Sequence, residues 1–145
     1  METISWNDAL HDLRRFVPVE LDYGSPDRLW VAANALAGPA DIRALPKWEE
    51  LEDLEILERL NDGYPPPLGL VIAVTDHMFS SGKTPTRLRA DQLGEFVGGY
   101  LAETGVSFFD GDVILLATDA GRLTIFHHEG VFAHWKLGNS FRTMS

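Results

Sequence analysis

The chain has 145 residues, no cysteine and a net charge of −10. That excludes disulfides and thiolate metal sites, and it opposes binding to nucleic acid backbones and anionic membranes. The length suits a single domain over residues 1–145, and 45% apolar with 23% charged residues is ordinary for a globular protein.

The first residues lack the basic start and apolar run of a secretion signal, and the longest mostly apolar stretch, 29–37, is too short to span a bilayer. The expectation is a cytoplasmic protein. The charge is uneven. Residues 41–62 hold eight acids against three bases and so carry −5 of the total.

Ser5 reads as an N-cap with Asp8 three residues on, and Trp6, Leu10, Leu13 and Val17 fall on one helical stripe that Pro18 stops. Residues 17–23 read as either a strand or an extended linker. Ser25-Pro26 opens a second helix and Gly38-Pro39 closes it; its residues are apolar almost all round, as in a helix buried on several sides. Asp41 caps a short turn to Leu45.

Pro46 then starts a helix running to Asp62. Its apolar residues Trp48, Leu51, Leu54, Leu57 and Leu60 recur every three residues instead of every 3.6. On a straight helix they drift round the cylinder, so a kink or break is expected near Glu52, with Trp48 and Leu51 pointing away from the core-facing stripe. Residues 64–67, Tyr-Pro-Pro-Pro, read as a stiff extended corner.

Residues 68–75, LGLVIAVT, have the near-continuous apolar pattern of a strand covered on both faces. A loop is expected over 76–89. Asp91 caps the next helix, which ends at Gly105 and buries Leu93, Phe96, Val97, Tyr100 and Leu101. Gly94, Gly98 and Ala102 on one flank leave room for another element to approach.

Residues 106–137 read as a β-meander: a short strand at 106–109, then strands at 113–118, 122–128 and 131–136, with glycines at the turns supplying positive φ. A two-residue Glu129-Gly130 loop sets His127 opposite Phe132 and Ile125 opposite His134. That register gathers Leu123, Ile125, His127, Phe132 and His134 on one face. The tail after Gly138 reads as loose. The order α-α-α-β-α-β-β-β predicts an α+β fold: an antiparallel or mixed sheet of four to five strands, with the C-terminal meander, packed with four to five helices.

Ser81-Gly82-Lys83-Thr84 is not a phosphate loop, because His77 stands where the pattern needs glycine and Pro85 spoils the following helix. No Gly-x-Ser-x-Gly nucleophile motif is present. Asp110 and Asp112 flank Gly111 and are most simply turn residues.

His127 and His128 are adjacent, so strand alternation points them to opposite faces and keeps them from sharing a metal. His127 and His134, with Glu129 or a loop residue such as Asp76 or His77, make a three-ligand set. Such a set would serve a metal-assisted hydrolase. The plainer reading is histidines that flank a hairpin, with no metal and no cofactor.

The acids Glu49, Glu50, Glu52, Asp53, Glu55 and Glu58 are either a solvated helix face or a steering surface for a basic protein, with Trp48 as an aromatic anchor. In size, acidity and lack of cysteine the chain resembles the broad group of bacterial immunity and inhibitor proteins, which neutralise toxin domains, often nucleases. The resemblance implies a non-enzymatic binding module that occludes a basic partner, and the charge pattern makes Trp48, Glu49, Glu52, Asp53, Glu55 and Glu58 the expected contact residues. A third reading is a self-assembling or chaperone-like module that pairs one face of the meander with itself.

Overall fold

A computed structural model describes residues 1–18, 25–38, 41–64 and 68–137. The chain begins with β1 (Glu2–Thr3), α1 (Trp6–Arg14) and α2 (Ser25–Ala37). Ser5 caps α1 by accepting from the Asp8 amide at 3.0 Å. β2 (Arg43–Ala44) follows, then a 3₁₀ turn over Trp48–Glu50 and α3 (Asp53–Asn61). Next come β3 (Leu70–Thr75), α4 (Asp76–Ser80), β4 (Thr86–Arg89), α5 (Leu93–Thr104), β5 (Val113–Ala117), β6 (Arg122–His127) and β7 (Val131–Lys136). The expected linker at 19–23, most of the corner at 64–67, Pro39 and the tail beyond Gly138 lie outside the described residues. Among the described residues no helix is long and apolar enough to cross a membrane.

The strands form one antiparallel sheet in the order β1-β4-β3-β5-β6-β7-β2. The α+β class is as expected, but the described residues form seven strands instead of four or five. β1 and β2 are two residues each, too short for an alternation signal, and they exist because β4 and β7 offer them ladder partners. The expected loop at 76–89 holds α4 and β4. The Thr75 hydroxyl oxygen caps α4 by accepting from the Met78 amide at 3.3 Å, and β4 buries Thr86 and Leu88 while pairing back on β3. No strand forms at 106–109: the Phe108 and Phe109 amides go to the Asp53 carboxylate instead of to a ladder.

Helices cover both faces of the sheet. On one, Ala9 and Leu13 of α1 and Leu29 and Ala33 of α2 pack against Ile72, Val74, Ile114, Leu116, Leu123, Ile125, Ala133 and Trp135. On the other, Ile56, Leu57 and Leu60 of α3 and Leu93, Val97 and Tyr100 of α5 pack against Val71, Ala73, Val113, Leu115, Ala117, Phe126 and Phe132. Side chains alternate along β3, so one apolar run feeds both cores.

The break expected near Glu52 is present: Leu51 is extended, and Glu52 is the N-cap of α3. Trp48 and Leu51 do not point away from the core; both pack against the α3–α5 cluster. Gly98 serves the close approach expected of it, since a Cβ there would lie 3.1 Å from Cδ1 of Leu54.

The β6–β7 connection has three residues, His128-Glu129-Gly130, and not two. The Gly130 amide donates to the His127 carbonyl at 2.9 Å, and Gly130 has φ +86°. The extra residue slips the predicted register by one. His127 faces Val131, Thr124 faces His134 and Leu123 faces Trp135. A one-residue slip moves a whole strand's side chains to the other face. His127 therefore shares its face with Ala133 and Trp135, and His134 lies on the opposite one.

Candidate functional site

Two stretches far apart in sequence meet at the end of the sheet where β3 finishes and β5 starts. The first is the acidic segment 48–58. Trp48 packs edge-on to Phe126, 5.2 Å between centroids, and lies against Gly130, where a Cβ would come 2.7 Å from its Cδ1. Asp53 accepts from the Phe108 amide at 2.7 Å and the Phe109 amide at 3.1 Å. Glu55 accepts from the Glu52 amide at 3.3 Å and so closes the start of α3. Trp48 and Asp53 are thus structural in part, while Glu49, Glu50, Glu52, Glu55 and Glu58 stay exposed.

The second stretch comprises Asp76, the 110–112 turn and the β6–β7 turn. Asp76 accepts from the Asp112 amide at 2.9 Å. Gly111 is pressed against it, since a Cβ there would run into the Asp76 carboxylate. Asp112 accepts from the His128 amide at 2.7 Å, and its Oδ1 lies 2.8 Å from His128 Nδ1.

α2 joins from the other layer. The Trp135 indole donates to Asn34 at 2.8 Å, and Trp30 meets Trp135 edge-on. This docking carries Asp27 to within 2.9 Å of His127 Nε2. His127 Nδ1 accepts from the Glu129 amide at 3.2 Å, which assigns the ring proton to Nε2, donated to Asp27.

The charges act on one another. Burial pushes the Asp76 carboxyl above the ordinary value, the Asp112 amide opposes this, and the nearby Asp112 and Asp110 charges add to it. The hydrogen bond to Asp112 raises the His128 imidazole, against a smaller opposing effect of burial. The first shift is chiefly the cost of burying a charge and the second chiefly a hydrogen bond, with neighbouring carboxylates adding to each.

The set His127, His134, His77 and Asp76 is not brought together. His134 is buried beneath α3. Its Nε2 donates to the Leu60 carbonyl at 2.7 Å, and its Nδ1 accepts from the Thr124 hydroxyl at 2.6 Å. Burial pushes its pKa down to about 4. His77 Nδ1 is 3.2 Å from the Tyr100 hydroxyl, which in turn meets Thr75 at 3.0 Å.

The structure gathers Asp112, His127 and His128 instead. One ring nitrogen of each histidine and one oxygen of Asp112 all lie within 4.8 Å of one another. The alternation argument against adjacent histidines fails because His128 belongs to the turn and not the ladder. The two rings stack, 4.3 Å apart and 27° from parallel. A signal for this was present: β5 and β6 pair Val113 with Phe126 about the Gly121 turn, and one more step outward brings Asp112 to His127.

Beside the histidines a shallow recess of about 290 Å³ is lined by Asp27, Trp30, Val31, His127, Glu129 and Val131. Val31 is 70% exposed. This end of the molecule therefore combines carboxylates from 49–58, Asp76, Asp110, Asp112 and Glu129 with an apolar contact point. Comparison with family models, with curated proteins and with solved structures returned no match.

Proposed function

We propose that the protein is a non-enzymatic binding module whose acidic end masks a basic protein, in the manner of an immunity or inhibitor protein acting on a toxin domain such as a nuclease. The observation that carries this reading is the composite surface. Trp48 on Gly130 and Asp53 on the Phe108 and Phe109 amides hold the acidic segment against the same end of the sheet as Asp110, Asp112 and Glu129. Carboxylates from separate segments then act on one partner face, which raises encounter rates and selects for basic groups. Occlusion is the mechanism: the carboxylates take the lysines and arginines that a nuclease uses for phosphates. The recess with Val31 and Trp30 supplies desolvated apolar contact.

The test begins with capture of the partner from host extract at low and high salt. Association is then measured for a Glu49→Lys, Glu50→Lys, Glu129→Lys variant, which leaves the internally bonded Asp53 intact. At low salt the association rate is expected to fall about 10-fold or more. Asp62→Lys, at the far end of α3, serves as the control. A triple variant that associates as fast as the parent removes this surface from the interface.

A further inference from the structure

We infer that Asp112, His127 and His128 form a binding site for a divalent transition metal ion of the zinc class. Their three donor atoms already lie within 4.8 Å of one another. Ligands at about 2.0–2.2 Å from zinc sit about 3.3 Å apart in a tetrahedron. A metal lies in the plane of the imidazole that binds it, so the two rings, stacked 27° from parallel, turn out of their stack when both reach one ion.

The backbone is well fixed. Asp112 directly precedes the buried strand β5, and its amide is held by Asp76 at 2.9 Å. His127 ends β6, and the His128 amide is held by Asp112 at 2.7 Å. A site carried on ladder ends and short turns is more rigid than one carried on a long loop.

The outer partners also suit a metal. A ligating histidine normally gives its other ring N–H to a carboxylate, which fixes the tautomer and raises ligand basicity. Asp27 does this for His127 at 2.9 Å and leaves Nδ1 as the donor atom. The ion displaces the 3.2 Å bond from the Glu129 amide, the weakest of the contacts here. At His128 it takes the place of the proton shared with Asp112 across 2.8 Å.

Asp76, Asp110 and Glu129 add the negative field that a cation needs. Two imidazoles with one carboxylate favour zinc, nickel or cobalt over calcium and magnesium, which prefer all-oxygen shells. The His128 side chain is 56% exposed, so the fourth position opens to water. The inference does not depend on a protein partner.

The test is calorimetric titration of the full-length protein with zinc chloride near neutral pH, repeated with cobalt(II) to read the visible spectrum of nitrogen–oxygen coordination. One equivalent is expected to bind. His128→Ala and Asp112→Asn are expected to weaken binding about 10-fold or more, and Asp27→Asn less. His11→Ala on α1 controls for surface histidines. Circular dichroism checks each fold, and exposed His128 on its turn is the variant least able to disturb it. Absence of a stoichiometric zinc equivalent, or undiminished binding by folded His128→Ala, overturns the site.

Discussion

His134 Nε2 donates to the Leu60 carbonyl oxygen at 2.7 Å, so one buried imidazole fastens the last turn of α3 to the middle of β7. Because Nδ1 accepts from Thr124, the ring must be neutral to make both bonds. Its pKa is about 4 in the fold, against 6.5 ordinarily. The unfolded chain therefore takes the proton first on acidification. The stabilisation is complete above pH 6.5 and is lost as the pH falls towards 4. The gap corresponds to on the order of 3 kcal/mol. Urea unfolding across that window is expected to show the decline, and His134→Gln to flatten it. An equal decline in His134→Gln assigns it to other groups.

Asp53 ties α3 to the segment ahead of β5 through two amides, at 2.7 and 3.1 Å. Charge-assisted bonds are stronger than neutral ones, and removing the acceptor leaves two half-buried donors unmade. Asp53→Ala is expected to lower stability by about 2 kcal/mol in a denaturant titration. Asn, which can satisfy one amide, should lose less. Any loss of partner binding by Asp53 variants has to be corrected for this.

Asp76 is held as an acceptor but disfavoured as a charge. Burial and the neighbouring carboxylates raise its pKa, while the Asp112 amide needs only an oxygen. Asp76→Asn keeps the acceptor and is expected to be neutral or stabilising at neutral pH. Asp76→Ala loses it and is expected to cost about 1 kcal/mol. A raised carboxyl pKa favours folding at low pH, and that contribution is lost as pH rises through the folded value. The Asn variant should therefore gain most on the alkaline side. Equal losses for both variants would show that the charge itself is wanted.

Long periodic elements were legible in the sequence, and pairing was not. The α3 break followed from the three-residue spacing of Trp48, Leu51, Leu54 and Leu57, and the run at 68–75 pointed to a strand covered on both sides, which starts two residues later at Leu70. β1 and β2 have no pattern to read, since two residues cannot alternate. The site was misread for one reason: a Glu-Gly pair reads as a two-residue turn, whereas His128 joins the turn as a third residue. That single residue separated His127 from His134 and brought His128 to Asp112. The acids at 49–58 were visible as a charged segment, but their internal work through Asp53 and Glu55 depends on contacts that no local pattern encodes.

Gly130 closes that turn at φ +86°, with its carbonyl accepting from the Leu45 amide at 2.7 Å. A side chain is strained twice there. Left-handed backbone costs a non-glycine residue about 1–3 kcal/mol. A Cβ would also stand 2.7 Å from Trp48 Cδ1 and 3.3 Å from the Leu45 carbonyl. Gly130→Ala is expected to destabilise the fold by about 2 kcal/mol or more in a denaturant titration. The two causes separate in a Trp48→Leu background: if the ring clash contributes, Gly130→Ala costs less there, and if backbone strain alone acts, the cost is unchanged. Displacing Trp48 also shifts Glu49 and Glu50 away from the turn that carries His128 and Glu129. Gly130→Ala should therefore slow partner association even where the protein remains folded, while Gly82→Ala, at a positive-φ glycine with no atom within 4 Å of its Cβ position, should leave association unchanged.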